Sequence, residues 1–156
     1  QPWNAHALVA DKYQSNNIFL LGDAAHLFTP TGGFGMNTGI SDAVDLAWKI
    51  EAVTSGWANP DLLKTYEEER RPIGIRNTNE AANCFDELKK VMIYGDEIDG
   101  ISEESNKLRS DIKKELINQN KIISSSGTLL GYRYNSSAIL PDGSIEPKDD
   151  PRFYTP

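Results

Sequence analysis

The chain has 156 residues, a net charge of −7 and a pI near 4.8, and 38% of its residues are hydrophobic. That is enough apolar material to build the core of one ordinary domain, and the acidic balance leaves no electrostatic footprint for DNA or an anionic membrane. The apolar runs are too short to cross a bilayer, Gln1-Pro2-Trp3-Asn4 lacks signal-peptide character, and Cys84, the single cysteine, excludes an internal disulfide. The cytoplasm is the simplest location on this reading.

Ala7-Leu8-Val9-Ala10 and Ile18-Phe19-Leu20-Leu21 read as strands, separated by the polar stretch Gln14-Ser15-Asn16-Asn17. The second is nearly all apolar, the composition of a strand covered on both faces in an α/β sheet. A loop rich in Gly, Pro and Thr follows, from Thr29 to Gly35. The period then changes: Met36, Ile40, Ala43, Ala47 and Ile50 recur at helical spacing, with Val44 and Val53 widening the stripe. This predicts a helix ending near Gly56, with the stripe as its core-facing side.

Asn59-Pro60-Asp61 is a helix start, with Asn as cap, Pro in the first turn and an acid at the positive end of the dipole. Leu62, Leu63 and Tyr66 should point inward, Glu67 to Arg71 largely outward, and Pro72 should interrupt or kink the helix. A helical segment is expected from Ile73 to about Tyr94. Another, capped by Ser102, should run to about Ile123 with Leu108, Ile112 and Leu116 packed beneath its polar run. Residues 129–134 read as strand-like, Pro141-Asp142-Gly143 as a turn, and 147–156 as a linker.

The chemistry concentrates where the second strand ends. Ligands in open α/β sheets sit at the carboxyl ends of strands. Asp23, placed there, can accept hydrogen bonds from sugar or polyol hydroxyls, and Gly32, Gly33 and Gly35 let the backbone approach a flat ring. The amides of Met36 and Asn37 open a helix and would stabilise an anion set against them. The segment lacks the Lys of a P-loop and the spacing of a dinucleotide fingerprint, so a nucleoside triphosphate is not expected and a delocalised ring anion fits better.

Gly22-Asp23-Ala24-Ala25-His26, Pro30 to Ile40 and Asp42 resemble the second FAD motif of the para-hydroxybenzoate hydroxylase-like flavoprotein monooxygenases. The resemblance continues through Leu46-Ala47-Trp48-Lys49 and Tyr66 to Pro72. Leu130 to Tyr134, Asp142-Gly143 and Asp149-Asp150-Pro151 are similar to the phenol and polyketide hydroxylase branch. It is weak from about Lys89 to Ser126. The implied fold is α/β: a fragment of a two-domain, glutathione reductase-like FAD-binding fold, mostly helical after the Gly-Asp strand and loop. Implied divisions are 1–58 for the end of the FAD-binding domain, 59–128 for long helices packed on it, 129–146 for a short strand region, and 147–156 for a linker toward a further domain.

The resemblance implies roles for Gly22, Asp23, Pro30, Gly33, Gly35, Met36 and Asn37 in binding FAD. Asp23 would meet the ribityl hydroxyls, Pro30 the reactive face of the isoalloxazine, and the backbone of Gly35, Met36 and Asn37 its N1 and C2 carbonyl edge. The implied enzyme is an FAD-dependent monooxygenase that uses NADPH or NADH and O2 to hydroxylate a small phenolic or polyketide-like aromatic, with a homodimer open as its assembly. A related epoxidase or reductase, or a non-catalytic remnant, is the alternative. The family's G-x-G-x-x-G unit and middle Asp-Gly motif do not occur in these residues. The chain alone is therefore expected neither to hold FAD tightly nor to turn over.

Catalytic side chains and metal ligands are not expected, because the flavin carries the chemistry. His26 reads as a loop-stabilising hydrogen-bond partner, Cys84 as a buried structural thiol, Trp48 and Trp57 as packing residues, and Arg133, between two tyrosines, as a structural ion-pair or stacking partner.

Overall fold

A computed structural model describes residues 4–92, 95–123 and 126–145. The expected linker at 147–156 and the Asp149-Asp150-Pro151 motif lie outside them. The described residues are mostly helical, with four short strands. β1 (Leu8–Val9) pairs antiparallel with β4 (His26–Leu27), and β2 (Gln14–Ser15) with β3 (Ile18–Phe19).

The expectation of a strand covered on both faces is corrected here. β3 has one hydrogen-bonded neighbour among the described residues, and Ile18 is 69% exposed. The backbone around β2 is held partly by a side chain: Glu67 accepts from the amides of Tyr13 at 2.7 Å and Gln14 at 2.9 Å. A carboxylate thus satisfies donors that a wider sheet would otherwise pair.

α1 (Phe34–Thr54) forms where the period predicted a helix, but its orientation is the reverse of the expected one. Met36 is 75%, Ile40 55% and Val44 64% exposed, and Ala43, Ala47 and Ile50 also face out. The buried side is Phe34, Thr38, Asp42, Asp45, Leu46, Lys49 and Ala52. This polar stripe has the same helical spacing as the apolar one and is buried because it finds partners on the next helix.

Asn59 caps a 3-10 turn (Pro60–Lys64) by accepting from the Asp61 amide at 2.9 Å, and α2 (Thr65–Met92) follows directly. α2 runs through Pro72 without interruption. Proline removes one intrahelical bond, but long-range contacts hold the helix on both sides of it. Arg71 donates to the Ala10 carbonyl, and Ile73 and Gly74 are buried. At Gly74 an added Cβ would collide with the Tyr13 hydroxyl and crowd His26, so only glycine allows this approach. Glu69 and Arg70, expected to face outward, are buried.

α3 (Glu103–Ile123) is capped as predicted, Ser102 Oγ accepting from the Ser105 amide at 3.1 Å. Leu108 and Ile112 are half-buried, whereas Leu116 is exposed. The expected strand at 129–134 is instead a short helix, α4 (Ser126–Leu130), followed by irregular chain. Arg76 reaches the carbonyls of Gly127 and Thr128 at 2.8 and 3.2 Å, so α2 satisfies acceptors in this segment. The turn at Gly143 forms with φ of +80°.

Two apolar clusters support this arrangement: Tyr13, Ala25, Leu46 and Tyr66 in one, and Phe34, Ala81 and Cys84 in the other. Cys84 is buried as expected. Trp48 and Trp57 are both exposed, which corrects their reading as packing residues; Trp57 instead donates Nε1–H to Glu51.

Candidate functional site

The turn after β3 is a short 3-10 helix, Gly22–Ala24, entered with Gly22 at φ +55°, a left-handed conformation that favours glycine. It leaves Asp23 exposed and is closed by the Ala25 amide donating to the Gly22 carbonyl at 2.9 Å. The turn lies directly against α1. A Cβ on Gly39 would stand 3.2 Å from the Gly22 Cα, closer than side-chain carbons ordinarily sit, so the missing side chain lets turn and helix touch.

The loop into α1 is tied to α2 through Thr31. Thr31 donates to the Ala81 carbonyl at 2.7 Å and shares a 3.0 Å hydroxyl contact with Thr29. Gly32 and Gly33 have φ of +76° and +68°, and a Cβ on Gly32 would strike the Phe34 ring. Gly33 is the N-cap, without a side-chain cap hydrogen bond, and the first turn of α1 carries no acid. Unpaired amides at a helix N-terminus carry partial positive charge, and an anion placed there gains about 0.3–1 kcal/mol. Pro30, Gly33, Met36 and Asn37 are exposed, and Gly35 lies against the Phe28 ring. The Asn37 side chain donates back to the Gly33 carbonyl at 3.0 Å, bracing the entry to the helix.

Beneath this exposed rim is a buried polar network. Asp42 Oδ2 accepts from the Gly22 amide at 3.1 Å and from His26 Nε2 at 2.6 Å, and Oδ1 accepts from Arg70 Nε at 2.8 Å. His26 thus has the stabilising role expected of it, its Nε2 bonding the Asp42 carboxylate. Arg70 also donates to the Thr38 carbonyl at 3.3 Å and to the Tyr134 hydroxyl at 3.1 Å, with the Tyr132 ring 5.4 Å from its guanidinium carbon. The tyrosines on either side of Arg133 therefore engage Arg70.

A second cluster lies deeper along α1. Lys49 donates to Asp45 at 2.7 Å and to Glu69 at 2.5 Å, and Ser136 donates to the other oxygen of Glu69 at 2.6 Å. Burial pushes the Asp45 carboxyl up, opposed by the Lys49 ammonium and reinforced by Glu69. Burial also raises the Tyr134 hydroxyl to about 12, against the pull of Arg70. Burial disfavours the Arg70 charge, yet Tyr134 and Asp42 together hold its pKa above the ordinary value.

Asp42 was singled out in the sequence only as part of a motif, and Arg70, Lys49 and Glu69 only within stretches of resemblance. Their signal was the stripe Thr38, Asp42, Asp45, Lys49 and Ala52 at four- and three-residue spacing.

The FAD-binding-domain family matches residues 1–81, more than half of the chain. The FAD-dependent monooxygenase apdD of Emericella nidulans is 36% identical over 99% of this chain and 26% of its own length. The 4-methyl-5-nitrocatechol 5-monooxygenase of a Burkholderia species is 39% identical over 90% of this chain and 22% of its own. Among solved structures, the flavin-dependent monooxygenase PieE in complex with FAD and substrate matches 97% of this chain and 29% of its own, with 31% identity and a TM-score of 0.84. RebC with bound 7-carboxy-K252c matches 91% of this chain and 27% of its own, at 35% identity and a TM-score of 0.79. The chain thus spans about a quarter of the length of these relatives. On this evidence it belongs to the FAD-binding-domain family of flavin-dependent monooxygenases.

Proposed function

We propose that this chain forms the ring-and-ribityl half of an FAD site in a monooxygenase that hydroxylates a phenolic or polyketide-like aromatic with NADPH or NADH and O2. The observation that carries the reading is the pairing of the exposed Asp23 turn with the uncapped N-terminus of α1, in contact through Gly22 and Gly39. The residues fit the cofactor. An exposed carboxylate suits a polyol, open helix amides suit the polar edge of a ring that becomes anionic, and left-handed glycines at 32 and 33 suit a loop that must pass close to a flat surface.

On this reading Asp23 accepts from ribityl hydroxyls, the amides of Gly35, Met36 and Asn37 donate to the N1 and C2 edge, and Pro30 walls the reactive face. Gly22 and Gly33 supply the backbone shapes that place them. FAD, when bound, supplies hydride acceptance from the nicotinamide and the activation of oxygen. The side chains of this chain orient and shield without exchanging protons with substrate, so their contribution is geometry and electrostatics. The exposed Met36, Ile40 and Val44 are the face on which further polypeptide of the FAD-binding domain packs.

The test is NADPH and NADH oxidation by the holoprotein across a panel of phenols. Oxidation stimulated by phenols, with hydroxylated product, supports the reading. Oxidation indifferent to every phenol, with no oxygenated product, contradicts it.

A further inference from the structure

Asp42 receives three hydrogen bonds on one fully buried carboxylate, and their sources form a pattern. Gly22 and His26 flank the turn that carries Asp23, one on each side of it, and both bind the same oxygen, Oδ2. Asp42 itself belongs to α1, two turns beyond the helix N-terminus. One carboxylate therefore fixes both ends of the Asp23 turn to the helix whose amides form the other part of the site.

Arg70 extends the arrangement. Its Nε holds Oδ1, its Nη2 holds the Thr38 carbonyl in the first turns of α1, and the Thr38 hydroxyl in turn bonds the Phe34 carbonyl at 2.8 Å. Its Nη1 reaches the Tyr134 hydroxyl, from the segment after α4. A buried ion pair is a poor source of net stability compared with well-packed apolar side chains, but it constrains geometry tightly. Apolar packing at these positions would fill the space without fixing the Gly22 amide.

We propose that Asp42 is a positioning residue of the cofactor site, setting where Asp23 stands relative to the open N-terminus of α1, with Arg70, itself braced by Tyr134, holding its carboxylate in register. This rests on the reading of Asp23 as a ribityl contact. Asp42 touches no cofactor; it acts through the Asp23 turn.

A double-mutant cycle on FAD affinity separates this role from a merely structural one, because residues acting through one another are non-additive. Apoprotein that carries this chain within a complete FAD-binding domain is titrated with FAD for wild type, Asp42→Asn, Asp23→Ala and the double variant. Asp42→Asn should weaken FAD about tenfold in the wild-type background, the size of one lost charge-assisted hydrogen bond, and less than about threefold when Asp23 is already Ala. Equal factors in both backgrounds overturn the proposal, since a general loss of stability ignores Asp23. An Asp23→Ala variant that binds FAD as tightly as wild type overturns the cofactor reading itself, and is told apart because the single variant shows it before the cycle is closed.

Should Asp42→Asn fail to fold, Tyr134→Phe carries the same test by removing one hydroxyl and no charge. It should weaken FAD about threefold and shift the visible flavin spectrum in the wild-type background, with both effects absent in Asp23→Ala. Unchanged affinity and spectrum in the wild-type background overturn the proposal.

Discussion

The two long faces of α1 invert the usual rule. The buried face carries Asp42, Asp45 and Lys49, paired with His26, Arg70 and Glu69, while the exposed face carries Met36, Ile40 and Val44. In an amphipathic helix at a protein surface the assignment runs the other way. The difference teaches that the buried face is chosen by partners as well as by hydrophobicity. Charges enter the interior here because they pair with one another and with groups on β4, α2 and the chain after α4. The apolar face stays outside.

Breaking the inner face should have the largest effect. Lys49→Met leaves Asp45 and Glu69 buried together without their shared cation, and should lower the unfolding free energy by about 3–5 kcal/mol in urea denaturation. A loss under about 1 kcal/mol would mean that the buried pairs contribute little and that the comparison of the faces is overdrawn. Next comes Gly74→Ala, where the new methyl meets a Tyr13 ring that is fully buried and flanked by His26 and Tyr66. With no room to yield, the expected loss is about 1–3 kcal/mol, and a neutral result would show that Tyr13 moves.

The pH dependence contrasts an inner carboxyl with an outer one. Asp45 has its pKa raised by burial, so its contribution is present below the ordinary value of 3.8 and lost as pH rises through the folded value. Glu68 is held below its ordinary 4.5 by the Ser137 amide and hydroxyl, so its contribution is present above that value and lost as pH falls. Asp45→Asn should therefore gain stability relative to wild type as pH rises from 4 toward neutrality. Glu68→Gln should be distinguishable from wild type above pH 4.5 and converge with it in more acidic solution. Thermal unfolding across pH 3–7 reads both, and the opposite slope for either would refute its assignment. Smallest of all, Ile40→Ser on the exposed face should change the stability of the chain by no more than about 0.5 kcal/mol.

Much of the site was legible and much of the packing was not. The Gly-Asp turn and the glycine loop are specified locally, by residues whose backbone preferences dictate shape, while the helix read from Met36 begins two residues earlier, at Phe34. The Asn59 and Ser102 caps were readable for the same reason. The direction α1 faces was not, because Met36, Ile40 and Val44 are exposed only in relation to what these residues pack against. Arg70 and Glu69 looked like a solvated run, since their partners Asp42 and Lys49 lie more than twenty positions earlier or on the edge of that distance. The strand expected at 129–134 was not formed: Ser126–Leu130 is a short helix, and the Tyr134 hydroxyl and Tyr132 ring engage Arg70 on α2. Pro72 failed as a breaker because contacts on both sides outweigh one missing hydrogen bond.

The central claim is that Asp23 and the α1 N-terminus receive separate parts of one flavin. It is tested by titrating apoprotein that carries this chain within a complete FAD-binding domain with FAD and with lumiflavin, which lacks the ribityl chain, for wild type and Asp23→Ala. Loss of about tenfold in FAD affinity, with lumiflavin affinity unchanged, is the predicted result. FAD affinity that is the same in both proteins would contradict it.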